Sequence, residues 1–311
     1  MTMSSGPTRT TAGAPGAPST RPVVIANPAS GGAIDEAALR AAFADRDVVW
    51  SPTTEDDPGL GQAAAAVEAG SPLVIACGGD GTVRAVIESV AGTTTALGIV
   101  PLGTGNLLAS NLGLATGLDA VGDAFDGPVR RLDVGHVNGE RFAVMAGVGF
   151  DAMMIRDASA TVKRRFGSIA YVVSAARNIP ARLTRASLSI NGDVVWHGRT
   201  VMVLVGNCGQ VTGGLEVFPD ARPDDGVLDV AVLSAKRFTE WCSVMWRLLW
   251  ARPQRSELVA RFQGADINIA LHERLPYELD GEDRQPTKEL CFGVEALSLA
   301  VRGRGDQDGG T

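Results

Sequence analysis

Three short loops carry the residues of this chain best suited to handle phosphate. The run Gly78-Gly-Asp-Gly-Thr82 directly follows an apolar segment and opens a helical pattern. Glycines there let the backbone turn sharply and bring its N–H groups against phosphate oxygens, and a helix N-terminus behind them favours an anion. Asp80 stands inside that cradle, where phosphate repels a carboxylate unless a divalent cation or a proton transfer involves it. Pro101-Leu-Gly-Thr-Gly-Asn-Leu107 and Asn27-Pro-Ala-Ser-Gly-Gly32 occupy the same position after two other apolar segments, and Thr53 and Thr54 follow a further one. One such loop could be an ordinary turn with Asp80 as a helix cap. Three at neighbouring strand ends mark the rim at which open α/β sheets bind ligands. The P-loop pattern GxxxxGK is absent, and so is GxGxxG after the first strand, which weighs against a dinucleotide-binding oxidoreductase. None of the loops holds a lysine, so amides, hydroxyls and a metal must balance phosphate charge.

The elements that must position these loops can be read from periodicity. Strands are expected at Arg21 to Asn27, Val48 to Trp50, Leu73 to Cys77 and Ala96 to Val100. Helices alternate with them, through Leu39 and Phe43, from Gly59 to Ala69, from Thr82 to Val90 and near Asn106. That alternation implies an α/β domain over residues 21–130, with a parallel sheet covered on both faces. Beyond it, period-two runs at Arg141 to Ala146, Ala186 to Ile190, Thr200 to Val205, Val227 to Leu233 and Ala265 to Leu271 predict a β-rich domain over 131–293. It reads as an antiparallel sheet or sandwich, interrupted by helices at about 167–185 and 239–250. The segment 294–302 could pair in either domain, and the cleft between the domains is the expected ligand site. Residues 1–20 and 303–311 read as disordered tails.

Composition narrows the function classes. The chain has 311 residues, 45% hydrophobic and 20% charged, enough for about two domains with real cores. A net charge of −7 argues against a nucleic-acid partner. No run of about 18 apolar residues offers a transmembrane helix. Cys77, Cys208, Cys242 and Cys291 are scattered, suggesting no disulfide framework or zinc site and a reducing cytosol.

In order, spacing and strand context, Asn27-Pro-Ala-Ser-Gly31, Gly78-Gly-Asp-Gly-Thr82 and Pro101-Leu-Gly-Thr-Gly-Asn106 resemble the three motifs of the diacylglycerol kinase catalytic-domain family. That family includes bacterial soluble lipid kinases and sphingosine and ceramide kinases, and is more distantly similar to NAD kinases. The likeness continues through Gly147-Val-Gly-Phe-Asp151, Asp224-Asp-Gly-Val-Leu-Asp229 and Asp280-Gly-Glu282, spanning about residues 22 to 302. NAD kinases share the Gly78–Thr82 pattern; the later motifs favour the lipid-kinase branch.

The resemblance implies ATP and Mg²⁺ as cofactors. Asn27, Thr54, Gly78, Gly79, Gly81, Thr82, Gly103, Thr104, Gly105 and Asn106 would line the nucleotide site. Asp280 and Glu282 would work at the phosphoryl acceptor, with Asp280 as base and Asp80 in the metal and water network; the reverse division stays open. Asp225, with the carbonyls of Arg222 and Val227, would form an oxygen site for Mg²⁺ or Ca²⁺, although a plain hairpin turn accounts for those residues as well. Ala85 and Leu107 stand where many relatives carry acidic residues, which bears on metal handling and acceptor choice.

The expected activity is transfer of the γ-phosphate of ATP to a lipid hydroxyl, with diacylglycerol as first acceptor and phosphatidic acid as product, from the cytoplasmic side of a membrane. A sphingoid-type or NAD-kinase-like enzyme, or a silent nucleotide- or lipid-binding module, are the alternatives. Peripheral membrane contact could come from Trp241, Trp246 and Trp250 on one helix, or from Lys163-Arg-Arg165 with Arg177, Arg182 and Arg185. A packed helix and a solvated charged face are the plainer accounts of these two features. His136, His197 and His272 suggest no chemistry, and no residue selects a homodimer, although a sheet edge would allow one.

Overall fold

The structure, a computed structural model, describes residues 21–27, 29–30, 34–149, 183–211, 215–234 and 259–304. The tryptophan helix, the basic residues 163–165, 177 and 182, the N-terminal tail, and Pro28, Gly31, Gly32, Phe150 and Asp151 of the loop motifs lie outside the described residues.

The first half alternates strands and helices. They are β1 (Val23–Ala26), α1 (Glu36–Ala42), β2 (Val49–Pro52), α2 (Leu60–Glu68), β3 (Leu73–Gly78), α3 (Asp80–Val90), β4 (Ala96–Pro101), α4 (Leu107–Asn111) and α5 (Ala120–Asp126). The strands pair in parallel in the order β2-β1-β3-β4. β1, β3 and β4 are buried along their whole length, so successive side chains feed two cores. Ile25, Val74, Ala76, Leu97 and Ile99 pack with Val83, Val86, Ile87 and Val90 of α3. Those four recur at helical spacing and give α3 its one apolar face. Val24, Ile75, Cys77 and Val100 pack with Leu39, Phe43, Ala120 and Val121 on the opposite face.

The second half is built from β5 (Val129–Val137), β6 (Glu140–Phe142), β7 (Met145–Val148), β8 (Thr184–Ile190), β9 (Asp193–Thr200), β10 (Met202–Gly206), the short β11 (Gln210–Val211) and β12 (Leu215–Glu216), β13 (Leu228–Leu233), β14 (Val259–Gly264), β15 (Asp266–Leu279) and β16 (Glu282–Arg302). Their mutual pairings are antiparallel. Alternate residues, among them Phe142, Leu188, Val205, Val230, Ile269, Leu279 and Phe292, enclose the second core.

One strand joins the halves. The first part of β16 pairs with β15; β5 accompanies β16 from Phe292 to Arg302 across an irregularity between Glu295 and Leu299. Near its end β16 meets β4 in parallel at Val301↔Leu97. A single hydrogen-bonded sheet therefore runs β14-β13-β10-β7-β15-β16-β4-β3-β1-β2.

Four local expectations are corrected. The run Arg141 to Ala146 is two strands, because Ala143 and Val144 leave the ladder to donate elsewhere. Helix α3 begins at Asp80, two residues before Thr82. Thr184 and Arg185 belong to β8 and not to the end of a helix. Gly303 and Arg304 close the fold instead of opening a tail: the Gly303 N–H donates to the Pro128 carbonyl and Arg304 pairs with Asp123.

Candidate active site

The three loops leave β1, β3 and β4 at the same end of the sheet and are tied to one another. The Asn27 N–H donates to the Cys77 carbonyl, and the Leu102 N–H to that of Gly78. Asn27 Nδ2 donates to Thr82 Oγ1 at 3.2 Å, bracing the first loop against α3. Gly103 packs so closely on Gly79 that an added Cβ would lie 2.6 Å from the Gly79 Cα, which excludes a side chain unless the backbone moves. Asn106, in the left-handed region at φ 48°, folds its own loop by accepting from the Gly103 N–H and donating to the Gly103 carbonyl.

Asp80 is partly exposed in the first turn of α3. Its Oδ1 accepts the Leu107 N–H at 2.5 Å, joining the starts of α3 and α4. Its Oδ2 lies 2.4 Å from where a Cβ on Gly105 would stand, so a side chain there would have to push the carboxylate aside. Thr82 is buried with its hydroxyl on Asn27 and braces the cradle from behind, while Thr104 and Thr54 are exposed on the rim. Thr54 closes its own turn through Asp57, whose N–H donates to Thr54 Oγ1.

Asp280 and Gly281 form the two-residue turn between β15 and β16. Both have positive φ, 46° and 87°, as a tight hairpin turn of this type requires. The Asp280 carboxylate is turned inward and buried. Oδ2 accepts the Ala143 N–H at 2.8 Å; Oδ1 accepts those of Val144 and Met145 at 2.9 Å each. Burial pushes its pKa up, and the three amide hydrogen bonds and the nearby Arg84 only partly offset that push. A carboxylate offers about four acceptor positions, so one remains on Oδ2.

Glu282, two residues on, reaches back to the glycine loop. Its Oε1 lies 3.2 Å from where a Cβ on Gly81 would stand, and its Oε2 pairs with Arg84 of α3. Arg284 contacts the same Oε2 at 3.4 Å and holds Glu140 at 2.7 Å. Arg84 Nε is buried without a partner among the described residues. Sequence reasoning missed Arg84, although an arginine one turn into the helix that follows a glycine loop was a readable signal. It also missed Glu278, which faces Gly147 from β15 and whose carboxyl is pushed up to about 7, chiefly by burial and then by Asp283 and Asp280.

The Asp225 loop is separate from these groups. Asp225 Oδ1 accepts the Val227 N–H at 3.1 Å, an Asx turn, and the buried Asp133 accepts the Gly226 and Leu297 N–H groups. Among the described residues no three His, Cys, Asp or Glu side chains converge as a metal group. A cation here would rely on Asp225 Oδ2 and the Arg222 and Val227 carbonyls, an all-oxygen set that suits Mg²⁺ or Ca²⁺. At the glycine loops Asp80 is the carboxylate at hand, which suits Mg²⁺ carried in by phosphates.

A parallel sheet with glycine loops, tied through one strand to a β-sandwich that brings carboxylates to those loops, is the architecture of a kinase of the diacylglycerol kinase type. Residues 21–137 match the family described as "Diacylglycerol kinase catalytic domain", and residues 143–299 match "YegS C-terminal NAD kinase beta sandwich-like domain". The chain belongs to the YegS-like lipid kinases of the diacylglycerol kinase family. It is 30% identical over 260 residues to a Pseudomonas aeruginosa protein named "Probable lipid kinase YegS-like", covering 83% of this chain and 85% of that one. It is 28% identical over 215 residues to the Bacillus subtilis diacylglycerol kinase, covering 68% and 71%. A solved diacylglycerol kinase structure from Bacillus anthracis superposes with a TM-score of 0.74 at 24% identity, over 92% of this chain and 97% of that one. An Archaeoglobus fulgidus NAD kinase solved in complex with ATP gives 0.52 at 12% identity, over 91% and 94%. These two likenesses concern the fold. Among the described residues no helix is long and apolar enough to cross a membrane.

Proposed function

We propose that this lipid kinase moves the γ-phosphate of ATP to the free hydroxyl of diacylglycerol, giving phosphatidic acid. The observation that carries the reading is the meeting of Glu282 and Arg84, which sets the hairpin of the β-sandwich against the first turns of α3. Phosphoryl transfer needs an in-line hydroxyl, a group to take its proton, and positive charge on the transferred phosphoryl. In this reading the N–H groups of the glycine loops and the α3 terminus hold the phosphates. Asp80 would hold the Mg²⁺ that comes with the nucleotide and neutralises its phosphate charge. Arg84, whose Nε has no partner among the described residues, supplies the fixed positive charge that the lysine-free loops lack. Asp280 takes the hydroxyl proton on the acceptor position left on Oδ2; its raised pKa makes it the better base, and the three amides fix its direction. Glu282 steers Arg84 and the acceptor.

Support for diacylglycerol as acceptor comes from the Bacillus subtilis relative, named for that activity, and support for ATP from the fold shared with the ATP-bound NAD kinase. The test is transfer of label from γ-labelled ATP and Mg²⁺ to mixed micelles holding diacylglycerol, a sphingoid base or no lipid, with NAD in a parallel reaction. Labelled phosphatidic acid alone is expected. Labelled NADP or a labelled sphingoid phosphate in its place would replace the acceptor.

A further inference from the structure

The β8–β9 hairpin turns through Asn191 and Gly192, both at positive φ (52° and 86°), and among the described residues β9 pairs only with β8, at an edge of the sheet. Its outward face is set by register. Arg185 stands opposite Arg199, Ser187 opposite His197, and Ser189 opposite Val194, while Ala270 of β15 lies beside Ser187. The intervening Ala186, Leu188, Ile269 and Leu271 point into the core. Arg185, Ser187, His197, Arg199 and His272 line a shallow groove of about 510 Å³ on that face. Arg185 and Arg199 form no ion pair among the described residues, in a chain whose net charge is −7. Two acids border the groove: Glu273 follows His272 on β15, and Glu289 of β16, beside Ala270, accepts from Asn268 Nδ2 at 2.9 Å.

Toward the hairpin tip the cationic side chains give way to two valines, with Asp193 before them and Asp266 beside Asn191. The pairing shifts between Leu188↔Trp196 and Ser189↔Val194, which leaves Val195 as the extra residue of a bulge. Val194 is 63% exposed and Val195 41%. An uncovered apolar edge invites association, and folds that keep one normally place something over it.

We propose that this face docks on an anionic phospholipid bilayer, with Arg185, Arg199, His197 and His272 against headgroup phosphates and Val194 and Val195 entering the interface at the tip. Charge complementarity selects the occupant: paired arginines next to two solvent-facing valines match a surface that is anionic outside and apolar beneath. The inference rests on the lipid-kinase reading, since it gives the enzyme a way to reach a substrate that stays in the membrane.

The test is co-sedimentation of the full chain with vesicles of phosphatidylcholine alone or of equal parts phosphatidylcholine and phosphatidylglycerol. Wild type, Arg185→Gln/Arg199→Gln, Arg185→Lys/Arg199→Lys and Val194→Ser/Val195→Ser are compared, with phosphorylation of a short-chain diacylglycerol in free solution as the control. A basic residue near anionic lipid contributes roughly fivefold in partition, so the double glutamine variant should bind anionic vesicles about twenty- to thirtyfold more weakly. The lysine pair should retain binding, the serine pair should weaken it, and turnover of the soluble substrate should be unchanged. Equal vesicle binding by wild type and the glutamine variant would overturn the proposal. So would loss of self-association in that variant by sedimentation velocity with vesicle binding intact, which would give the face to a second copy. Absence of turnover by wild type on any lipid alcohol would instead sink the kinase reading, and the vesicle comparison would still decide the docking face.

Discussion

Arg84 of α3 pairs with Glu282 of the β15–β16 hairpin, across 198 positions of sequence. Neither is part of the packed core, yet their contact fixes how the carboxylates of the second half address the glycine loops of the first. Glu282 is about two-fifths exposed, so the pair adds little to stability. Its consequence is positional. Arg84→Gln should change unfolding free energy by less than about 1 kcal/mol while lowering kcat/KM at least about tenfold, which corresponds to about 1.4 kcal/mol in the transition state. Thermal melts and steady-state kinetics on the same preparation check this; a large loss of Tm with normal turnover would make the pair structural.

The close approach of Gly103 to Gly79 predicts a specific defect. A methyl at Gly103 must displace the backbone of the loop that follows β3, because the blocking atom is the Gly79 Cα. Gly103→Ala should therefore weaken ATP binding by more than about tenfold, at a stability cost of about 1–3 kcal/mol. Isothermal titration with ATP and Mg²⁺ reads the first quantity and urea unfolding the second. Unchanged ATP affinity would remove this loop from the nucleotide site.

Glu278 gives a pH signature. Its carboxyl is pushed up to about 7 in the folded chain, above its ordinary value of 4.5. The folded state thus binds the proton more tightly, and the stability contributed by the protonated form is lost as pH rises from about 4.5 to 7. Glu278→Gln removes that loss. It should stabilise the protein by about 1–3 kcal/mol at pH 8 and by much less at pH 5. Denaturant melts at the two pH values decide, and an equal difference at both would contradict the assignment.

The Asp225 turn is closed by its own hydrogen bond, with Oδ2 left over. If a hard cation sits on Oδ2 and the neighbouring carbonyls, Asp225→Ala should lower Tm more in Mg²⁺ than in EDTA, where only the Asx-turn hydrogen bond is lost. An equal effect in both buffers assigns the loop to the Asx turn alone.

Much of the first domain was legible because its signals are local. Buried parallel strands are short apolar runs, the loops between them are glycine-rich, and α3 repeats Val83, Val86, Ile87 and Val90 at helical spacing. Less was legible where a long-range partner decides. Ala143 and Val144 continue the period-two pattern of their neighbours, and only the Asp280 carboxylate, more than 130 residues away, draws their N–H groups out of the ladder. β16 runs from Glu282 to Arg302, but its first eight residues are mostly charged or polar, so periodicity showed only its apolar end. The candidate carboxylates could be named from the sequence. That Asp280 faces three backbone amides and Glu282 faces Arg84 depends on how the hairpin docks, which no local pattern encodes.

The most direct test of the account compares wild type, Asp280→Asn and Asp80→Asn in transfer of label from γ-labelled ATP to diacylglycerol in mixed micelles, with ATP affinity measured on each. The account predicts labelled phosphatidic acid from wild type and a loss of about 10²–10⁴ in kcat for Asp280→Asn, with ATP affinity retained. Asp80→Asn should lose Mg²⁺-dependent ATP affinity as well as rate. Transfer that survives in Asp280→Asn and disappears in Asp80→Asn with ATP still bound would contradict the account, moving the base to Asp80 and leaving Asp280 as the anchor of the hairpin.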